Sequence, residues 1–266
     1  MDVHGITLVV GAASGIGLET AFLFAERGAR AVVFADIAFS AASEASEKSK
    51  SIATATDYQT LAIAVDVRDR ASVKSMVEEV KKRFGRLDYA VNSAGTPRAS
   101  EADIMSLDES EYDLLHEVNA KGILHCLQEE IAAMKDQEPT YVEGRSGRRS
   151  VGPGSIISIT SLSSTVCAPF SINYTASKFA AKAVENRRSG LRINEVCPGY
   201  TNTPIMDTVR KRQPNIDEVV EKVMPLGRVA APEEIANVIH FLASPGASFV
   251  NGQTIIADSG VSASIV

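Results

Sequence analysis

The chain has 266 residues, 45% of them hydrophobic, and a formal net charge of −6. That length and apolar content suffice for a sizeable buried core. The negative balance excludes the broad basic face that a phosphate backbone requires, so no nucleic acid partner is expected.

Seven short apolar runs stand out in chain order, at 6–10, 31–36, 60–67, 88–92, 155–160, 192–196 and 254–257. Most are near-continuous Val, Ile, Leu and Ala, the pattern of strands buried on both faces of a parallel sheet. No basic segment with a long apolar stretch precedes the first run, so no signal peptide is expected. No apolar run reaches the length of a membrane span, and a soluble cytoplasmic protein with no membrane contact is the expectation.

Helical periodicity fills the intervals at 16–27, 72–84, 109–134, 174–188 and 232–243. In the second of these, Val73, Met76, Val77 and Val80 share one face. Pro232 followed by Glu233 and Glu234 marks a helix start, with proline in the first turn and acids at the positive end of the dipole. Two stretches lack periodicity. Segment 136–154 is rich in Gly, Ser, Pro and charge and is expected to be a structureless surface loop, with Arg145, Arg148 and Arg149 solvated. Segment 199–225 follows the sixth strand, where ligands bind in open α/β sheets, and is expected to be an irregular substrate lid. Strand–helix alternation throughout predicts one α/β domain over residues 1–266. It is a doubly wound parallel sheet of about seven strands with helices on both faces.

Cys126, Cys167 and Cys197 are odd in number and lack paired spacing, which fits small core residues in a reducing compartment. His4, His116, His125 and His240 are scattered, so no metal site is expected. The serines near Ser161 have no histidine at a recognisable spacing, which argues against hydrolase chemistry.

The first strand runs into Gly11-Ala12-Ala13-Ser14-Gly15-Ile16-Gly17, a glycine turn that opens a helix. Glycine permits the tight turn and a close backbone approach to a pyrophosphate, and the helix N-terminus offers N–H groups to it. The second strand ends in Asp36, nineteen residues after Gly17. A carboxylate there accepts hydrogen bonds from both adenosine ribose hydroxyls and repels a 2′-phosphate. No Lys or Arg follows at Ile37, Ala38 or Phe39, and Ser14 occupies the turn where a base could sit, so NAD is expected in preference to NADP. The bland reading of Asp36 is a turn acid.

Tyr174 and Lys178 are four residues apart and so lie one turn from each other on a helix. A nearby ammonium stabilises a phenolate, and an oxidised nicotinamide ring would add a second positive charge nearby. Bringing a tyrosine into the neutral range takes about 4 kcal/mol of differential stabilisation. Ser161 precedes Tyr174 by thirteen residues, just past a buried strand.

This ordered set resembles the classical short-chain dehydrogenase/reductase family, a Rossmann-fold family. It comprises the glycine turn, Asp66-Val67, Asn92-Ser93-Ala94-Gly95, Asn119, Ser161, Tyr174-x-x-x-Lys178, and Pro198-Gly199 followed by Thr203. The likeness runs from Ile6 to Gly260. It implies that Asp66 and Val67 hold the adenine and that Asn92, Ala94 and Gly95 lie against the adenosine ribose. Pro198 and Gly199 would pass the nicotinamide, with Thr203 bonding its carboxamide. It implies further that Tyr174 is the acid/base, Ser161 stabilises the substrate oxygen, Lys178 tunes Tyr174 and binds the nicotinamide ribose, and Asn119 holds a water in a proton relay. A homodimer or homotetramer is implied.

Two departures are visible. Val10 stands where the family usually has threonine, and the interval from Lys178 to Ile193 is several residues short. A shortened helix there is expected to weaken the assembly. The expected substrate walls are Val166, Cys167, Ala168 and Phe170, then Thr96 and Pro97, then Tyr200, Ile205, Met206 and Val209. They are mostly apolar, without an arginine cluster to grip a carboxylate. A hydrophobic or cyclic secondary alcohol or ketone is the expected substrate. The alternative is a cofactor-binding protein without turnover, used as a redox sensor or scaffold; a lyase, epimerase or cyclase using the same tyrosine is a third reading.

Overall fold

The computed structural model describes residues 3–101, 103–167, 170–182 and 189–264. Seven parallel strands form one sheet, in the order β3-β2-β1-β4-β7-β8-β9. They are β1 (Ile6–Val10), β2 (Ala31–Asp36), β3 (Gln59–Ala64), β4 (Tyr89–Asn92), β7 (Ser155–Ile159), β8 (Arg192–Pro198) and β9 (Thr254–Ala257). β1, β7 and β8 are buried along their whole length; β1 is wholly apolar apart from Thr7, whereas β7 and β8 also bury Ser155, Ser158, Arg192, Asn194 and Glu195. The order reverses between β1 and β4, which opens a crevice at their carboxyl ends.

Helices cover both faces. One core lies under α1 (Gly15–Glu26), α2 (Phe39–Ser49) and α9 (Pro232–Ala243), the other under α3 (Arg70–Phe84) and α5 (Gly122–Met134). Val73, Met76, Val77 and Val80 are the buried face of α3. Asp69 caps its first turn by accepting from Ala71 N–H, and Gly85 ends it in a left-handed conformation at φ 80°. Pro232 lies in the first turn of α9, and Glu234 reaches back to accept from Ala231 N–H at 2.8 Å. At the other end of α9, buried Arg192 donates to the carbonyls of Leu242, Ala243, Ser244 and Ala247. It thereby satisfies carbonyls that a helix end leaves orphaned. No described helix is long and apolar enough to cross a membrane.

Four local expectations are corrected. Segment 136–154 is exposed but not structureless: β5 (Thr140–Gly144) and β6 (Gly147–Gly152) pair as an antiparallel hairpin. The Arg148 guanidinium stacks 4.2 Å from the Tyr141 ring centroid, and this cross-strand contact holds the ribbon. Segment 199–225 is not irregular; it folds into α7 (Pro204–Arg212) and α8 (Ile216–Val223) over a small core of Met206, Ile216, Val220, Met224 and Val261. The long helix over 109–134 is broken into α4 (Glu109–His116) and α5 by a π-turn at Glu117–Lys121. The helix expected over 174–188 begins earlier, as α6 (Ile172–Ala181), and its expected continuation at 183–188 lies outside the described residues.

Behind β4, Glu130 is fully buried and accepts from Asn92 Nδ2 at 2.9 Å, while Glu130 Oε1 and Asn92 Oδ1 have no hydrogen-bond partner among the described residues. Burial pushes its carboxyl up to about 7, and that of Glu195 on β8 likewise to about 7. A raised pKa means that the folded chain favours the neutral acid. Their stabilising contribution is therefore complete below the ordinary glutamate range and is lost as pH rises through about 7. Glu130→Gln keeps the shape and has no proton to lose. Its stability relative to the unsubstituted protein should improve between pH 5 and pH 8 by up to about 3 kcal/mol, read as urea midpoints across that range. An unchanged difference would show that Glu130 is ionised at little cost.

Candidate active site

The carboxyl ends of β1, β2, β4, β7 and β8 open into a cleft of about 680 Å³. At one end is the glycine turn. Gly11 has φ 86°, and a Cβ on it would lie 2.5 Å from Ala94 N. A Cβ on Gly17 would lie 2.0 Å from the Gly11 carbonyl oxygen. Both positions need glycine for space, and Gly15, at φ 56°, needs it for conformation. No side chain caps the first turn of α1, so its N–H groups face the cleft without a capping partner.

Asp36 lines this end and serves as a turn acid too: its Oδ2 accepts from Ala13 N–H and its Oδ1 from Ala38 N–H, both at 2.9 Å. The carboxylate therefore ties the glycine turn to the end of β2 while one edge faces the cleft. Asp66 and Val67 line the same end, with Arg68. Arg68 Nη2 pairs with Asp66 Oδ2 at 2.6 Å and holds that carboxyl below its usual range.

Ser161, Tyr174 and Lys178 line the middle of the cleft. Ser161 lies just past β7, and its Oγ accepts from Ser163 N–H at 3.1 Å, which fixes its rotamer. Tyr174 and Lys178 sit one turn apart on α6, with Nζ 5.7 Å from the tyrosine ring centroid. Lys178 is buried, and burial brings its ammonium down to about 8. Burial also raises the Tyr174 phenol, and a hydrogen bond from Ser161 pulls it partly back. Desolvation dominates in the protein by itself, and the lysine lies toward the ring with its own charge disfavoured.

Asn119 is fully buried in the π-turn. Its Oδ1 accepts from Thr96 N–H at 2.9 Å, and its Nδ2 donates to Thr96 O and Ser177 Oγ, each at 3.1 Å. A Cβ on Gly95 would lie 3.3 Å from Asn119 Oδ1 and 3.4 Å from Lys178 Nζ, so Asn119 meets the cleft wall where Gly95 and Lys178 line it. Such π-turns recur at functional positions, and here the extra residue turns Asn119 inward.

The other sequence-predicted residues divide clearly. Gly11, Ser14, Gly15, Ile16, Ala94, Gly95, Pro198, Gly199 and Thr203 line the cleft; Gly17, Asn92 and Asn119 stand behind it. Asn92 is turned to Glu130. Thr203 begins α7, and its methyl would lie 3.1 Å from a Cβ on Gly15. Of the expected substrate walls, Val166, Thr96, Pro97, Tyr200, Ile205, Met206 and Val209 line the cavity. Cys167 and Phe170 are exposed and are not part of its lining, and Ala168 lies outside the described residues.

The sequence reading missed Arg98 and Arg212, which both line the cleft mouth. Arg212 Nη1 donates to the Arg98 carbonyl at 2.7 Å across a sequence separation of 114 residues. No local spacing announces such a pair, and the expectation of a site without clustered arginines is corrected by it.

The chain resembles known proteins along nearly its whole length. The family model adh_short_C2, described as enoyl-(acyl carrier protein) reductase, matches residues 11–262. The short-chain dehydrogenase fogB of Aspergillus ruber is 37% identical, covering 98% of this chain and 97% of its own. Cis-4-hydroxycyclohexanecarboxylate dehydrogenase of Sinomonas cyclohexanicum is 33% identical, covering 97% of this chain and 96% of its own. The crystal structure of levodione reductase superposes with a TM-score of 0.82 at 29% identity, covering 97% of this chain and 98% of that one. On the span of the matching model and the full-length likeness to fogB, the chain belongs to the short-chain dehydrogenase/reductase family of oxidoreductases.

Proposed function

We propose that this protein transfers a hydride between NAD(H) and a hydrophobic or cyclic secondary alcohol or ketone, with Tyr174 as acid/base. The observation that carries the reading is the convergence of Ser161, Tyr174 and Lys178 on the cleft that the glycine turn and Asp36 also line. The residues present fit a dinucleotide. The turn leaves no room for side chains at Gly11 and Gly17, so backbone faces the cleft, and the first turn of α1 carries no cap that would compete with a pyrophosphate. Asp36 would hold the adenosine ribose, Pro198, Gly199 and Thr203 would receive the nicotinamide, and Lys178 would bind its ribose. When bound, the nicotinamide ring accepts or delivers the hydride.

The chain's own groups handle the proton. The substrate oxygen sits between the hydroxyls of Ser161 and Tyr174. In the oxidative direction Tyr174 takes the alcohol proton, and Ser161 donates a hydrogen bond to the charge developing on oxygen. Lys178 stabilises the phenolate. Its ammonium, at about 8, remains mostly charged at neutral pH. Asn119, held by Thr96 and Ser177, positions a water beside Lys178 that passes the proton outward. The apolar walls suit a ring-sized substrate, and the names of two relatives, levodione reductase and cis-4-hydroxycyclohexanecarboxylate dehydrogenase, support cyclic substrates.

Two measurements test this reading. Tyr174→Phe should lower kcat by about 100-fold or more with NADH affinity nearly unchanged, read from NADH absorbance and fluorescence titration. Retained turnover would remove Tyr174 from the chemistry. In thermal-shift titrations a ligand bound only by the folded state raises the midpoint. NADH should therefore raise it more than NADPH, and Asp36→Asn should narrow the gap. Greater stabilisation by NADPH would overturn the assignment of Asp36.

A further inference from the structure

Hydride transfer has no use for the two guanidinium groups at the cleft mouth. Arg98 lies on the loop after β4 and Arg212 ends α7, and both are half-buried in the lining of the cavity that holds Ser161 and Tyr174. Arg98 donates through Nη1 to the Phe170 carbonyl, and its Nη2 lies 3.3 Å from Glu101 Oε1. Arg212 donates through Nη1 to the Arg98 carbonyl and through Nε to the Thr208 carbonyl at 3.4 Å.

These ties account for the position of Arg212 but not for its charge. The ion pairs at this end join Arg98 to Glu101 and Arg210 to Asp207 and Asp217; none includes Arg212 among the described residues. Glu111, the other nearby acid, is committed to the loop, accepting from Ala99 N–H, Ser100 N–H and Ser100 Oγ. Desolvation and then the neighbouring Arg98 hold the Arg212 pKa below its ordinary value, while Glu101 and Glu111 act against them. Two partly desolvated like charges beside one cavity repel each other. An anion placed against both relieves that repulsion, and the planar guanidinium fork matches the two oxygens of a carboxylate. The same cavity is lined by the apolar side chains of Val166, Ile205, Met206 and Val209.

We propose that Arg98 and Arg212 form an anion subsite that receives a carboxylate carried by the substrate, remote from the carbon that exchanges the hydride. The subsite rests on the hydride-transfer reading for its substrate, and it narrows that substrate to an apolar body with a charged end.

The test uses 4-oxocyclohexanecarboxylate and its methyl ester, which share ring and ketone and differ in charge. Turnover of each is measured with NADH, and binding of each to the NADH-saturated protein is measured by calorimetry. The expected kcat/KM ratio of carboxylate to ester is about tenfold or more, decreasing with added salt. Arg212→Met and Arg98→Met should each bring the ratio close to one, and Arg212→Lys should retain part of it. Thermal midpoints with NADH establish that each variant is folded, and the Lys variant carries the test if a Met variant is not. A ratio near one in the unsubstituted protein, or equal losses on both substrates in every folded variant, overturns the subsite. Absence of turnover with Arg212-dependent carboxylate binding intact would sink the hydride-transfer reading and uphold the subsite. Ester turnover without any carboxylate preference would do the reverse.

Discussion

The tightest constraint in this molecule is the approach of backbone to backbone where the sheet reverses direction. The turn after β1 lies against the strand β4 loop so closely that a methyl group on Gly11 would overlap Ala94, and α1 leaves so near that one on Gly17 would overlap Gly11. Asp36 locks the same turn from the other side through Ala13. Strand order alone would make a crevice there. The absent side chains turn that crevice into a surface of backbone N–H groups, with a helix terminus aimed across it.

Around that surface the protein accumulates desolvated ionisable groups. Lys178 is buried and its ammonium is depressed, Tyr174 is pushed in the direction that keeps it neutral, and Glu130 behind β4 is raised to about 7. None of these shifts originates in a strong ion pair; desolvation is the first cause of each. A site built this way responds strongly to a new charge, because interactions in a poorly solvated cleft are little screened. Under the proposed function, a phenol that burial keeps neutral needs added positive charge nearby before it can act as a base.

How much of this was readable from residues alone depends on the range of the forces involved. The buried strands were legible because parallel strands covered on both faces leave near-continuous apolar runs. The buried face of α3 and the proline start of α9 were legible from local spacing. The glycine turn and the Tyr174–Lys178 pair were legible because their chemistry needs particular residues at short separations. The hairpin was not, since Arg148 on Tyr141 stabilises a segment whose composition reads as loop. The π-turn was not, since Glu117–Lys121 has ordinary helical residues; the closest available signal was Gly122, whose missing side chain admits Val67. The two helices over 199–225 were announced by Pro204 after Thr203 and by Ile216 and Val220 on one face, a signal outweighed by the turn-forming residues around them. Arg98 and Arg212 belong to a different category, because only the tertiary fold brings them together.

That same pair shows what α7 does in the structure. Its first turn begins at Thr203, against Gly15 of the cofactor turn, and its last residue, Arg212, is hydrogen-bonded to the β4 loop at the opposite end of the cleft. Nine helical residues, about 13 Å of backbone, therefore connect the glycine-turn end of the cavity to the pair Arg98 and Arg212. Met206 roots the helix in a small core shared with α8. The glycine turn and the guanidinium of Arg212 thus meet opposite ends of one short helix, although Gly15 and Arg212 stand nearly two hundred positions apart in the chain.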